Sequence, residues 1–171
     1  LGWTIFSVDD TAEVLRGHEV LPVVDVSKKI GFSEIMGGRF KTLHPIIMGG
    51  ILARRDNPGD MVSTQNHGIT LIDMVVCNLY PFADTIQHTG ITFDEAVEKI
   101  DIEGSSLLRA AAKNHKSVIV VIYPDQYDII LKILRRDGDI SIAERRNLAK
   151  LALGYTSAFD QRVAQFLDSS E

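Results

Sequence analysis

Short runs of β-branched and other apolar residues alternate along this chain with segments of helical periodicity, and no other feature constrains the fold as strongly. The strands that these runs predict cover residues 3–6, 20–26, 72–78 and 118–122. Strands that alternate with helices are typical of βα units, in which helices flank a mostly parallel sheet. The sequence therefore predicts an α/β fold.

Helical patterns fill the segments between the predicted strands. Helices are predicted over residues 11–18, 93–100, 105–115, 124–136 and 141–167, with one short helical turn at 34–36. Asp10, Ser33 and Thr92 are the predicted N-cap residues of the first helix, the short turn and the 93–100 helix. The 141–167 pattern predicts either one long helix or two that meet near Gly154. Residues 54–67 are the predicted excursion from the regular alternation.

Composition limits the size and the partners of this fold. The chain has 171 residues, of which 45% are hydrophobic, so it can bury one ordinary core without disulfide or metal support. The 18 Lys and Arg against 23 Asp and Glu give a net charge of −5. Proteins that bind nucleic acid or anionic membranes usually have the opposite balance, so we expect neither partner. A small anionic ligand is still compatible with a local cluster of cations.

Cysteine and apolar content restrict the chain further. Cys77 is the single cysteine, so neither an intrachain disulfide nor a multi-cysteine metal site is possible. This cysteine usage favours a reducing, cytoplasmic setting. The longest apolar runs are far shorter than the roughly 20 residues that a membrane helix needs, and the first residues lack the basic start of a signal peptide.

The first polar segment with chemical potential reads GGRFKTLHP over residues 37–45. Its two glycines permit a close backbone approach to a ligand. Four side chains offer donors to an anion or a polar ring, namely those of Arg39, Lys41, Thr42 and His44. Taken alone, a solvated basic loop explains the segment equally well.

Two more polar segments stand where an α/β sheet places its ligand site. Asn78 and Tyr80 follow the most apolar strand, although a tyrosine there is more often a packing residue. Asp101 precedes a helix start, where a carboxylate often serves as a cap. Lys113 follows three alanines, so partial desolvation would favour acid–base chemistry, while an exposed surface lysine is the ordinary alternative.

Other familiar sites are missing from the sequence. The five histidines show neither HxxxH nor HExxH spacing, so no metal site is predicted. The chain contains no GxSxG, GxGxxG or GxxxxGK[ST] motif either. Serine-hydrolase, dinucleotide-binding and P-loop readings therefore lack their usual support.

Taken together, six segments resemble one family in their order and spacing. They read GGRFKTLHP (37–45), GGILARR (49–55), DMVVCNLYPF (73–82), DIEG (101–104), LLRAAAKNHK (107–116) and AFDQRVAQFL (158–167). On these segments the chain resembles the inosine monophosphate (IMP) cyclohydrolase domain of the bifunctional purine biosynthesis enzymes. The resemblance covers nearly the whole chain.

The resemblance implies a methylglyoxal-synthase-like fold with a C-terminal helical extension. It also implies ring closure of a formamido-imidazole-carboxamide ribonucleotide to IMP, without a metal or an organic cofactor. Family members are homodimers fused to a C-terminal formyltransferase domain. On this basis residues 1–171 are expected to be a cyclohydrolase domain without its first strand–helix unit and without the formyltransferase domain.

The resemblance also implies functional positions. Lys41 and Lys113 match positions beside the reacting groups, with Lys113 as the expected donor to the oxyanion or leaving hydroxyl. Asp101 matches the acceptor of the carboxamide proton, and Tyr80 matches a residue that positions the formyl group. The positions that match nucleotide contacts are Ser7, Thr11, Arg39, Phe40, Lys41, Thr42, Cys77, Asn78, Asp101 and Ile102.

Three acidic residues depart from the family pattern. Asp9 and Asp10 stand where the family has the glycines of its phosphate-binding turn, and Glu103 replaces another glycine. Carboxylates at these positions predict repulsion of a dianionic phosphate. Met48 also stands where a histidine is usual.

Three functions remain open at the level of sequence. The first is cyclohydrolase chemistry at Lys41, Tyr80, Asp101 and Lys113. The acidic departures favour the second, a catalytically weakened module that binds nucleotides and regulates. The third is a purely structural dimerisation domain.

Overall fold

The computed structural model describes residues 2–18, 22–87 and 90–168, and four short strands form two parallel pairs within them. The strands are β1 (Ile5–Ser7), β2 (Val23–Asp25), β3 (Met74–Val76) and β4 (Ile119–Val121). β1 pairs with β2 and β3 pairs with β4. The predicted α/β class and parallel pairing are confirmed, although the strands are shorter than predicted. The first residues of the predicted 20–26 strand, 20 and 21, lie outside the described ranges.

Helices connect and cover the strand pairs. Their bounds are α1 (Asp9–Gly17), α2 (Val26–Ile30), α3 (Pro45–Leu52), α4 (Pro58–Asn66), α5 (Phe82–Thr85), α6 (Phe93–Val97), α7 (Ile102–Lys113), α8 (Tyr127–Asp137) and α9 (Ile142–Asp168). A 3₁₀ turn over Pro124–Gln126 leads into α8. The C-terminal pattern therefore forms a single helix that continues through Gly154.

Of three predicted helix starts, one is confirmed and two are wrong. Thr92 caps α6 in a full capping box with Glu95, as predicted for its start. The predicted cap of α1 is wrong, because the helix already includes Asp10 and has Val8 at its N-cap position. The predicted helical turn at residues 34–36 is also wrong. Met36 and Gly37 there adopt positive φ angles of 56° and 63°, which a right-handed helix excludes.

The predicted excursion at residues 54–67 contains a regular helix. Asn57 caps α4 by accepting a hydrogen bond from the N–H of Asp60, and Pro58 occupies the first helical turn. Arg54 leads into this helix and pairs with Asp60 at 2.8 Å. The Pro-Gly sequence predicted an excursion from regular structure. Because Asn57 caps the helix, the same sequence forms the first turn of α4.

One hydrophobic core joins both strand pairs. The core strand β4 is buried along its whole length and lies against α9 and α7. Phe82 and Leu108 are fully buried in this core, and Phe6 of β1 packs against the same cluster. Because β1 shares this core, the two strand pairs belong to one folding unit.

Helices α3 and α7 pack side by side with their N-terminal ends at the same end of the molecule. At the C-terminal ends, the side-chain amide of Asn114 donates to the carbonyl of Ile51 at 2.7 Å and to that of Ala53 at 3.0 Å. Asn114 thereby satisfies carbonyls that the end of α3 leaves unpaired. The N-terminal ends of both helices consequently face one shared region. Across the described ranges, no helix is both long enough and apolar enough to cross a membrane.

Candidate functional site

Three loop segments meet at the N-terminal ends of α3 and α7. They are residues 39–43 before α3, residues 78–80 after β3, and residues 101–104 at the start of α7. Glu103 hydrogen-bonds the first segment, and Asp101 accepts from the N–H of Tyr80 at 3.4 Å. The structure therefore gathers the polar segments predicted from the sequence. It also places them at the carboxyl end of a parallel strand, where ligands of α/β sheets bind.

Asp101 is the N-cap of α7. One of its carboxylate oxygens accepts from the N–H of Gly104 at 2.8 Å, and the other accepts the longer bond from Tyr80. A Cβ at Gly104 would lie 2.7 Å from this carboxylate and 2.9 Å from Leu79, so a larger residue would force these side chains to move. Cap and ligand roles are compatible, because a carboxylate has about four acceptor positions.

Glu103, the acid that replaces a glycine of the family pattern, is bound by backbone donors of the loop before α3. One of its carboxylate oxygens accepts three backbone hydrogen bonds, from Lys41 at 2.7 Å, Thr42 at 2.8 Å and Leu43 at 3.1 Å. The N-terminal end of α7, where it sits, also favours a negative charge. Backbone donors of the 39–43 segment therefore hold this carboxylate, and its predicted repulsion of a phosphate stays a prediction.

Lys41 lies in the loop before α3. Its ammonium group is 3.1 Å from the carboxylate of Glu34. Gly38, with a φ of 87°, lets the lysine chain lie close, because a Cβ there would be 3.0 Å from its Cε. Lys41 also lines a cavity of about 250 Å³ together with Val8 and Asp25. This cavity connects the β1–α1 turn with the predicted catalytic lysine.

Arg39 is exposed and forms a two-pronged ion pair with Glu98. The two nitrogen–oxygen distances are 3.0 and 2.8 Å. Next to Glu98 in the chain, Lys99 lies over the ring of Tyr80, 5.2 Å from its centroid. The segment that ends α6 therefore contacts two predicted site residues, one through charge and one through a cation–π interaction.

The loop after β3 carries three predicted residues, Cys77, Asn78 and Tyr80. The N–H of Leu79 donates to the hydroxyl of Tyr155 on α9 at 3.1 Å, and this bond attaches the loop backbone to α9. Asn78 and Tyr80 have exposed side chains. Burial raises the pKa of the Cys77 thiol to about 12, and the charge of Asp101 adds to this shift. Cys77 is therefore a neutral thiol at physiological pH.

The remaining predicted contacts lie around these segments. Phe40 packs its ring edge against Phe32 at a centroid distance of 6.4 Å, and Ile102 is exposed at the first position of α7. Ser7 ends β1 and Thr11 is exposed on α1. The side chains of Asp9 and Asp10 lie outside the described part of the structure, so the predicted repulsion of a phosphate at that turn stays a prediction.

Lys113 is not brought to the other predicted catalytic residues. It is exposed at the last position of α7, whereas Asp101 caps the first turn of the same helix. At a rise of 1.5 Å per residue, the two lie about 18 Å apart along the helix axis. Within one chain, the segments that carry Lys41, Tyr80 and Asp101 are thus brought together, and the ammonium of Lys41 lies against Glu34.

Sequence reasoning missed the carboxylates that hold the cationic side chains. Glu34 pairs with Lys41, and Glu98 pairs with Arg39 across 59 positions of the chain. His44, predicted as a donor, instead accepts the N–H of Ile46 through Nδ1 and caps α3. Across the described residues, no group of three or more His, Cys, Asp or Glu side chains could hold a metal ion.

The gathered segments therefore carry a carboxylate, a lysine and an exposed phenol near two helix N-termini. Asp101 can accept a proton, Lys41 can donate one, and Tyr80 can position a polar group. The helix N-termini favour negative charge in the same region. Such a set supports general acid–base chemistry on a polar, anionic substrate.

Two family patterns match consecutive parts of the chain. The MGS-like domain matches residues 1–106, and the AICARFT/IMPCHase bienzyme family matches residues 111–171. The first match includes the 39–43, 78–80 and 101–104 segments, so the gathered site lies within the MGS-like region.

Curated relatives share nearly the whole chain. The bifunctional purine biosynthesis protein PurH of Thermosynechococcus vestitus is 49% identical over 97% of this chain, and that of Bacillus subtilis is 43% identical over 98%. The chain spans about a third of the length of these relatives. Among solved structures, the crystal structure of ForH is similar with a TM-score of 0.85 and 33% identity, over 99% of this chain and 86% of that one.

Proposed function

Because the chain belongs to the MGS-like domain family and is homologous to the IMP cyclohydrolase region of the PurH proteins, we propose that it closes the purine ring of IMP. The substrate is the ribonucleotide of 5-formamido-imidazole-4-carboxamide, and the products are IMP and water. The observation that carries the proposal is that the three separate segments that bear Lys41, Tyr80 and Asp101 meet at the N-terminal ends of α3 and α7.

Ring closure joins two groups of the same substrate. The carboxamide nitrogen attacks the formyl carbon, a carbon–nitrogen bond forms, and the formyl oxygen becomes an oxyanion. One hydrogen from the carboxamide nitrogen and one from the formamide nitrogen then leave with that oxygen as water. The site must fold the substrate, stabilise the oxyanion and move two protons.

The residues of the site match these tasks. Asp101 is held by its cap bond to Gly104 and accepts the proton of the attacking carboxamide nitrogen. Asp101 passes this proton to the oxyanion. Lys41, after its ammonium exchanges Glu34 for the substrate, donates a proton to the leaving hydroxyl and takes up the proton of the formamide nitrogen as the ring double bond forms. Tyr80, whose ring is held beneath Lys99, positions the formyl group.

The proposal has two versions, which differ in whether Lys113 or Lys41 is the proton donor. The family resemblance makes it the proton donor, whereas its distance of about 18 Å from Asp101 along α7 favours Lys41 within one chain. We expect Lys41→Ala to lower kcat by roughly 10²–10⁴-fold, the usual contribution of a general acid. Lys113→Ala should lower kcat far less. The reverse order of the two losses would return the donor role to Lys113.

The activity itself is tested with the purified chain and the formylated ribonucleotide. Product formation is followed by absorbance, with Asp101→Asn as the matched variant that keeps the cap geometry but loses the base. The proposal predicts turnover by the wild type and a strong loss in the variant. No turnover by the wild type, or equal rates in both proteins, would contradict it.

A second candidate is a nucleotide-binding module with weakened catalysis. It is favoured by the pairing of site donors with carboxylates of the chain itself, as in Lys41 with Glu34 and Arg39 with Glu98. Calorimetric titration with IMP and with inosine separates the two candidates. Binding of IMP without any turnover of the formylated substrate would favour the module.

We also propose that the chain forms a homodimer, as the family resemblance implies. Large apolar side chains are exposed on α9, including Ile142, Leu151 and Leu153. Light scattering should give about twice the monomer mass of 18.9 kDa, and Leu151→Lys with Leu153→Lys should return it to the monomer value. A monomeric wild type at all accessible concentrations would contradict this proposal.

A further inference from the structure

The backbone N–H groups of Lys41, Thr42 and Leu43, called here the amide cradle, bind one carboxylate oxygen. Glu103 supplies that oxygen at distances of 2.7, 2.8 and 3.1 Å. Successive backbone N–H groups that converge on one atom form a concave anion-binding site. The amide cradle therefore has the geometry of an oxyanion site, and its occupant is a side chain of the same protein.

The same segment also holds a buried polar group without a partner. The side chain of Thr42 is buried, with only 7% of the residue exposed, and its hydroxyl has no hydrogen-bond partner among the described residues. A buried hydroxyl without a partner is unfavourable, because it has lost its hydrogen bonds to water. A further acceptor at the amide cradle would remove this cost.

We propose that the amide cradle is an oxyanion-binding site for a ligand and that Glu103 is its internal occupant, which the ligand displaces. The ligand group is a carboxylate or phosphate oxygen, because the cradle holds that class of atom in this structure. Glu103 is only half-buried at the second position of α7, so its side chain can turn towards solvent. Glu103 thereby sets the affinity for anionic ligands.

The displacement has a measurable consequence. When a site is open for only a fraction of the time, the apparent dissociation constant rises by the inverse of that fraction. Removal of the Glu103 carboxylate leaves the amide cradle permanently open. We therefore expect Glu103→Ala to bind small oxyanions at least tenfold more tightly than the wild type.

The test follows the backbone amide resonances of residues 41–43 during titration with inorganic phosphate, against sodium chloride at matched ionic strength. In Glu103→Ala we expect all three resonances to shift and saturate. In the wild type they should move only at much higher phosphate concentration. Asp94→Asn removes the same charge from an exposed position of α6 and should behave as the wild type.

Other outcomes would overturn the proposal. If Glu103 only fastens the loop, Glu103→Ala will show rapid amide exchange at residues 41–43 and no phosphate binding. Equal phosphate affinity in both proteins would also contradict displacement. Glu103→Gln keeps the side-chain shape without the charge and should give an intermediate affinity, so a folding defect of the alanine variant does not decide the result.

For a nucleotide ligand the inference rests on the proposed function, but the phosphate titration requires no turnover. Phosphate binding in Glu103→Ala together with an inactive wild type would support the amide cradle and reject the chemistry. Turnover by the wild type without a phosphate response in the variant would support the chemistry and reject the amide cradle.

Discussion

At the scale of single residues, the two acids at the start of α7 have different partners. Asp101 binds the N–H of Gly104 within its own helix, whereas Glu103 reaches the loop before α3. Each charge is therefore stabilised by N–H donors, and the two carboxylates coexist two positions apart. The first turn of α7 therefore positions both the Asp101 carboxylate and the loop amides that Glu103 binds.

Cys77 gives a prediction at this scale. Burial raises its thiol pKa from 9.0 to about 12, which lowers the thiolate fraction at pH 8 by roughly 1000-fold. Alkylation by iodoacetamide should therefore be slower in the folded protein than in the same protein in denaturant, by at least 100-fold. Since Cys77 is the single cysteine, mass spectrometry reports on it alone. Equal rates in the two conditions would show that the thiol is not shielded.

Residue roles were predictable only where the partner is close in the chain. The sequence predicted the cap at Asp101, because its partner Gly104 is three positions away. The three amides bound by Glu103 lie about 60 positions away, and no local pattern carries that information. The sequence showed the charge of Glu103 but not the backbone donors that hold it.

At the scale of elements, a glycine pair lets α3 pack against the chain that follows it. A Cβ at Gly50 would overlap the carbonyl oxygen of Thr70, and Ile72 donates its N–H to the carbonyl of Gly50. The helix therefore approaches the 69–72 segment at backbone distance. This contact fixes α3 next to β3 and so places the loop before α3 in the site.

Gly50→Ala should destabilise the protein by about 1–3 kcal/mol, because the added methyl group forces the helix away from Thr70. Gly154→Ala is the matched control. Gly154 lies within α9 with no atom within 4 Å of the added Cβ, so alanine should stabilise by roughly 0.5–1 kcal/mol. Urea unfolding of the three proteins measures both effects, and a neutral or stabilising Gly50→Ala would refute the close approach.

The same helix shows why some elements were missed. The strands were predicted in order because short β-branched runs mark them. α3 reads PIIMGGIL, and three of its residues, Ile47, Gly50 and Ile51, are fully buried. A short, almost wholly apolar helix carries no amphipathic period, so its sequence does not distinguish it from a buried strand.

At the scale of the whole molecule, α9 holds the core together. It packs along α7 and β4, and its rings at Phe159 and Phe166 lie 6.0 and 5.5 Å from that of Phe82. Phe82 is 1% exposed, while Phe93 stacks on Phe166 from the surface. This aromatic cluster connects α5, α6 and α9. Helix α9 therefore contacts the region of the site both through this cluster and through the bond of Tyr155 to Leu79.

Phe82→Ala should therefore cost about 3–5 kcal/mol of unfolding free energy in a single transition. Phe93→Ala, at the exposed edge of the same cluster, should cost much less. Chemical denaturation followed by fluorescence and by circular dichroism tests both statements. Two separate transitions in the wild type would contradict a single core that includes both strand pairs.

The central claim is that residues 39–43, 78–80 and 101–104 form one ligand site. It is tested most directly by mapping the backbone amide resonances of the wild-type chain during titration with IMP. The account predicts saturable shifts concentrated in these three segments, with a common dissociation constant. The absence of binding, or saturable shifts that leave these segments unchanged, would contradict it.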